Sequence, residues 1–408
     1  MDLTTYVGLD VHAESITAAI LSAENEKPEV LQLSSDLMKV RRLFRRLADK
    51  GPVRACYEAS GAGFVLQRVL ARDGFHCDVI APSLIPRKPG DRRKTDRLDA
   101  LMLAQLYRSG HLTPVHVPTE DHESLRRLLR LRTTYHQYCT ATMHRISGVL
   151  RNHGFVFKEG KSTWTKKHRQ WLACLRQNLT GPLQTALAME LEHLEYLETQ
   201  QRTLDAGLES FASSPQFRIP TEALCCLRGV KTLTALTLLC EIDDIRRFAS
   251  PRALMAYFGL VPSERSSGDK EHRGPITKAG NIHVRRLLVE AAWNNRHRAA
   301  ADLILNRRRQ GQPPAIVAIA LKAQHRLYKK FWHLDQRKRC HYRRGQRTPR
   351  LYLGHLESTT TDNLLTPYIH REESTDRRML VSSMRSQPAC LEKAGSGRTP
   401  NDAALPLA

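Results

Sequence analysis

The chain has 408 residues, 41% hydrophobic and 26% charged, with no apolar run near the roughly 20 residues of a membrane span. Its 64 Lys and Arg outnumber 41 Asp and Glu, giving a net charge of +23, which makes nucleic acid the default partner. Nine cysteines without a Cys-x-x-Cys pair or a Cys/His cluster at ligand spacing argue against a disulfide scaffold or a zinc site.

In chain order, "TYVGLDVH" (5–12) is an apolar strand, and "SITAAIL" (15–21) and "EVLQLSS" (29–35) follow as antiparallel partners. Helical periodicity with a glycine stop marks 38–51. A strand over 52–60, a helix over 64–74 and a strand over 76–82 come next, and then the helix carrying "KTDRLDALMLAQLY" (94–107). This order is that of an α/β RNase H-like, RuvC-like fold. Residues 120–152 read as one long helix, 158–170 as a basic loop, and 183–211 as a heptad seam of Leu183, Leu187, Glu190, Leu194, Leu197, Gln201, Leu204, Leu208 and Phe211. Such a seam suits a hairpin within the chain and a contact between protomers equally well.

A second globular part is expected from near Pro220, mainly α, with a helix-hairpin-helix-like turn at Gly229 and a small-residue basic loop over 261–280. Residues 322–350 hold eleven Lys or Arg and one acid, a candidate phosphate-contacting segment. The expected domains are 1–118, an acid-bearing RuvC-like domain; 119–215, long helices and coiled coil; 216–350, a helical domain; and 351–408, a polar, aperiodic, disordered tail.

The chemistry centres on four acids. Asp10 stands at the end of the first strand, Glu58 at the end of the fourth, and Asp96 and Asp99 are three apart near a helix start, on one helical face. Acids at a helix N-terminus can simply answer the macrodipole. Four carboxylates brought to one sheet edge instead call for a divalent cation, Mg²⁺ or Mn²⁺, with phosphate completing its shell. Two such ions can activate a nucleophile and stabilise the leaving oxygen of a phosphodiester. Lys94 and Arg97, in a stretch with six Lys or Arg over 87–97, would then face nucleic acid.

The stretches "VGLDVH", "YEASG", "KTDRLDA", "FGLVPSERSSG" and "ITKAGNIHVRRLLVEAAW" together resemble the IS-one-ten family of bacterial insertion-sequence transposases, over roughly residues 5–335. The resemblance implies a DEDD catalytic domain whose acids match Asp10, Glu58, Asp96 and Asp99, a coiled-coil link and a C-terminal transposase domain. It also implies recombination guided by a structured bridge RNA that pairs with donor and target DNA, and a serine acting as covalent nucleophile. The matching loop offers Ser266 and Ser267 before Gly268; the family pattern of Ser-Gly behind a variable residue selects Ser267, although turn chemistry alone accounts for such a loop. Arg273, Lys278, Arg285 and Arg286 are candidates for gripping phosphate. The expected partners are DNA, bridge RNA and further copies of the chain in a dimer or tetramer. The expected location is the bacterial cytoplasm, at the nucleoid, since the first residues carry no export signal. Two rival readings stand beside this one: a RuvC-like junction nuclease with water as nucleophile, and a non-enzymatic basic DNA- or RNA-binding protein.

Overall fold

The computed structural model describes residues 4–22, 27–86, 95–268, 270–298 and 303–343, with side chains of the last helix to residue 336. The chain divides into two compact units, Met1–Glu120 and Asp121–Ala408.

The first unit holds a five-stranded sheet in the order β3-β2-β1-β4-β5. Its strands are β1 (Thr5–Val11), β2 (Ser15–Leu21), β3 (Glu29–Ser34), β4 (Val53–Glu58) and β5 (His76–Ile80). β1, β2 and β3 form an antiparallel meander, and β1, β4 and β5 run parallel. Parallel neighbours need crossovers, supplied by α1 (Leu37–Ala48) and α2 (Val65–Arg72), with α3 (Asp96–Arg108) following β5. This is the element order expected from the sequence, and a mixed sheet between helices fits an α/β RNase H-like fold.

Alternation decides which residues meet. Val7 and Leu9 of β1, Ala55 and Tyr57 of β4, and Cys77 and Val79 of β5 pack with Val40, Phe44 and Leu70 of α1 and α2 on one face. The other parity carries the site. Ala19 and Leu21 of β2 pack with Ala100 and Ala104 of α3, and Cys56 of β4 and Ile80 of β5 pack with Leu103. Gly8 is the closest point: a Cβ there would sit 2.3 Å from the carbonyl oxygen of Ala100 and 2.4 Å from the Ala104 nitrogen. A glycine facing two alanines is what lets α3 lie almost on the backbone of β1. Tyr107 anchors the far end of α3, its hydroxyl donating to Asp78 Oδ2 at 2.6 Å.

In the second unit, α4 (Glu120–Asn152), α5 (Lys166–Asn178) and α6 (Gly181–Ala212) pack on Cys139, Ile146, Leu150, Leu172, Leu187, Leu194 and Leu197. Arg132–Asp205 (2.8 Å), Cys139–Gln201 (3.8 Å) and Arg145–Glu190 (3.0 Å) run in opposite senses along α4 and α6, so the two helices are antiparallel. Much of the heptad stripe is therefore covered within the chain. At its end the register slips: Phe211 is 48% exposed and Ala212 is buried instead. The basic segment 158–170 is not all loop, since α5 begins at Lys166, capped by Thr165, whose hydroxyl accepts from the His168 amide at 3.3 Å.

Beyond it, α7 (Arg218–Cys225), α8 (Thr232–Ile242), α9 (Pro251–Tyr257), α10 (Ile282–Trp293), α11 (Leu303–Arg309) and α12 (Pro314–Arg343) surround a second core that includes Leu224, Leu238, Phe258 and Leu288. Two features here were not expected. Residues 261–280 contain a β-hairpin, β6 (Pro262–Glu264) and β7 (Arg273–Ile276), where a plain loop was read. The short helix α11, which three arginines end, was not singled out in the sequence. The tail beyond 351, like Arg337–Arg350 of the basic cluster, falls outside the described side chains.

Candidate active site

The parity that places Gly8 under α3 also places Asp10 and His12 on that face, at and just beyond the end of β1. β4 lies beside β1 with Leu9 opposite Tyr57, and one step further in the same register brings Glu58 level with Asp10. Thr95 caps α3, its hydroxyl accepting from the Leu98 amide at 3.3 Å, and Asp96 and Asp99 occupy the first turn. Because α3 is seated on Gly8 by Ala100 and Ala104, its N-terminal turn comes over the end of β1. His12 Nε2 lies 3.3 Å from Asp10 Oδ2 and 3.6 Å from Asp96 Oδ1. One ligand atom from each of Asp10, His12 and Asp96 falls within 4.8 Å of the others.

Electrostatics mark the same place. Burial raises the Asp10 carboxyl above its ordinary value; His12 pulls it back, and the like charges of Asp96 and Asp99 add to the rise. A carboxylate held among other carboxylates with partial loss of water is one that a cation would relieve. The donor set of carboxylate oxygens with one imidazole suits a hard or borderline divalent ion. His12 is the residue the acid pattern passed over; the signal was its position two residues after Asp10, which on a strand means the same face.

The remaining candidates are spread more widely. Lys94 lies outside the described residues, and Arg97 is exposed on the first turn of α3. Ser267 is exposed at the tip of the β6–β7 hairpin, where its backbone exchanges hydrogen bonds with Lys270 at 3.2 and 3.3 Å. Gly268 follows with φ +58, a left-handed conformation that glycine adopts without strain, and no atom lies within 4 Å of its missing Cβ. Ser266 meets a carboxylate: its hydroxyl donates to Glu264 Oε1 at 2.8 Å. Arg273 is paired with Glu271 at 3.2 Å and Arg286 with Glu290 at 2.8 Å, both at the surface. Arg285 is different, because its Nη1 donates to the carbonyls of Phe258 (2.8 Å) and Ala279 (2.9 Å) and so ties the loop before α10 to the end of α9. Lys278 sits in that loop with φ 55, its amide donating to Gly259 O at 3.1 Å.

That loop rests on a buried acid that the sequence did not single out. Glu241, 1% exposed at the end of α8, accepts from Arg130 Nε and Nη2 at 2.9 Å each and from Asn281 Nδ2 at 2.7 Å. Asn281 caps α10 with its Oδ1. The network thus joins α4, α8 and the start of α10.

A mixed sheet with acids at the ends of two neighbouring parallel strands and on the helix laid across them fits the α/β RNase H-like class of protein. Similarity to known proteins narrows it. Residues 7–154 match a DEDD transposase family of the IS-one-ten (IS110) group, and residues 221–304 match the Transposase IS116/IS110/IS902 family. A putative transposase, y4qE, of Sinorhizobium fredii is 36% identical over 336 residues, covering 81% of this chain and 82% of its own length. The transposase for insertion sequence element IS1533 of Leptospira borgpetersenii is 31% identical over 346 residues, covering 83% of this chain and 99% of its own. The chain belongs to the IS110-family transposases, and it is a DNA transposase/recombinase enzyme. Membership implies the use of a divalent metal, which the donor set at Asp10 fits.

Proposed function

We propose that this transposase cuts and exchanges DNA strands by metal-assisted attack of Ser267, through a covalent phosphoserine, under the guidance of a bridge RNA. The observation that carries the proposal is the convergence of Asp10, His12 and Asp96 at the end of β1, beneath the first turn of α3. Asp10, Glu58, Asp96 and Asp99 would hold the ion, Mg²⁺ or Mn²⁺. Once bound, it supplies charge stabilisation to a phosphate in transfer and lowers the pKa of the attacking group. The protein's own residues do the rest. Ser267 Oγ forms the bond to phosphorus as the P–O3′ bond breaks, and the departing 3′ oxygen takes up a proton as the serine gives one up. The linkage conserves the phosphodiester energy for rejoining. An exposed hairpin tip with an unhindered glycine behind it supports close approach of a DNA backbone. Arg273, Lys278 and Arg286, with Lys94 and Arg97 of the first unit, are proposed to hold flanking phosphates. Arg285 is proposed to act chiefly by fixing the loop.

Partnership with bridge RNA, assembly into a dimer or tetramer, work in the cytoplasm at the nucleoid, and the coiled-coil and transposase-domain divisions follow from the family resemblance and belong to the same proposal. Among the described residues, no helix is long and apolar enough to cross a membrane. The Ser266–Glu264 hydrogen bond favours a second reading in which Ser266, with a carboxylate ready to take its proton, is the nucleophile.

The test is denaturing capture of labelled DNA on the full chain supplied with Mg²⁺ and the RNA that co-purifies with it. Wild-type protein should carry covalent DNA, Ser267→Ala none, and Ser266→Ala a reduced but measurable amount. Asp99→Asn should cut strand cleavage by about a hundredfold or more, on the scale of losing a group that stabilises transition-state charge, with unchanged circular dichroism. Capture by Ser267→Ala but not by Ser266→Ala would transfer the role to Ser266. Cleavage with no adduct in any variant would make water the nucleophile.

A further inference from the structure

The basic segment between α4 and α5 has no part in the chemistry above. Residues 151–170 carry six Lys or Arg (Arg151, Lys158, Lys161, Lys166, Lys167 and Arg169) against one acid, Glu159. All six cations are exposed. Arg169 is paired with Glu198 at 2.6 Å, whereas Arg151 and the four lysines have no ion-pair partner among the described residues.

The segment is built on a fixed base. His168, 4% exposed, is ringed by Phe157, Trp164 and Trp171 at centroid distances of 5.0, 5.2 and 5.5 Å. Trp164 holds φ at 62, which a bulky residue adopts only when its surroundings impose it. Lys166 and Lys167 form the first turn of α5, where no acid is present. Cations at the positive end of a helix dipole are unfavourable. Nothing in the packing of α5 explains their placement, while an arriving polyanion does.

We propose that this end of the α4–α6 helical pair is a docking surface for the phosphate backbone of duplex DNA. The proposal rests on the reading that the chain acts on DNA. Duplex is favoured over single strand because the rings here pack on His168 and on one another, so they do not offer the free stacking platforms that unpaired bases use. Lysine ammonium groups act as point charges that need no particular phosphate orientation, which suits a regular backbone gripped without regard to sequence.

The experiment compares the full-length wild-type chain with its Lys158→Gln/Lys161→Gln/Lys166→Gln/Lys167→Gln variant, using fluorescence anisotropy of a labelled duplex DNA across a salt series. The variant should bind about tenfold or more weakly near 100 mM salt, with a log–log salt slope shallower by up to about 3.6 (four phosphates at roughly 0.9 each). The corresponding four-fold Lys→Arg variant should retain wild-type affinity. Equal affinity and slope in wild type and Gln variant would overturn the proposal, as would a loss seen with duplex RNA alone. The pair Lys158→Gln/Lys161→Gln, which lies outside any helix, should give about half the slope change and guards against misfolding of α5; unchanged binding in that pair overturns the role of the loop lysines. Failure of the wild-type chain to bind DNA at any salt would instead count against the DNA-acting reading itself.

Discussion

Glu241 is an acid with almost no access to water, and its state controls how the loop before α10 is held. Burial alone would raise its pKa, but the hydrogen bonds and charge of Arg130, the Asn281 amide and Arg126 outweigh that and hold it below the ordinary 4.5. A depressed carboxylate pKa contributes stability that is complete above about 4.5 and is lost as pH falls through the folded value. Glu241→Gln should therefore destabilise the chain near neutral pH by about 3 kcal/mol, the low end for breaking a buried pair because Arg130 is half-exposed. The deficit should shrink on acidification below that range. Urea midpoints at pH 7 and pH 4 check this; a deficit that grew at low pH would exclude the ion pair as its source. At this scale Asp10 and Asp96, which the structure brings together with His12, were legible in the sequence, Asp10 as an acid ending an apolar run and Asp96 as an acid opening a helix. Glu241 was not, because one acid in a helix reads like any other until its partners, more than a hundred residues before it and forty after it, are brought to it.

Among elements, the seating of α3 on β1 governs the cluster of Asp10, His12 and Asp96. Gly8→Val would drive a side chain into the backbone of α3 at Ala100 and Ala104, which are backbone neighbours unable to rotate away. The expected result is overpacking that costs about 1–3 kcal/mol, together with displacement of Asp96 from Asp10. Thermal melts with and without Mn²⁺ should show a lower Tm and a much smaller metal-induced rise than in wild type. A lower Tm with the metal response intact would mean that the acids do not depend on this contact. The alternating strands and the long helices were readable from period alone. The β6–β7 hairpin was not, since three- and four-residue strands rich in Gly, Pro and Ser carry no apolar alternation. The heptad stripe was readable as a stripe, but the partner that covers it was not, because periodicity specifies a face and not its occupant.

For the whole molecule, the net charge of +23 is a statement about association rather than fold. Affinity for DNA should fall steeply with salt, with log affinity against log salt sloping by roughly −0.9 per phosphate neutralised on duplex. Anisotropy titrations from about 50 to 200 mM salt should show losses of about a thousandfold or more if six or more phosphates are gripped. A flat response would show that the cations serve packing instead. The sequence by itself determined the order of elements in the first unit, the sign of the surface, and the acids and serines available for chemistry, because hydrophobic period and residue type are local properties. Only tertiary structure decided that His12 joins Asp10 and Asp96, that Ser266 rather than Ser267 meets Glu264, and that Arg285 is tied to backbone carbonyls. Those outcomes depend on which strand face, hairpin turn and helix end come within a few ångströms of one another, and such distances arise from packing between segments far apart in the chain.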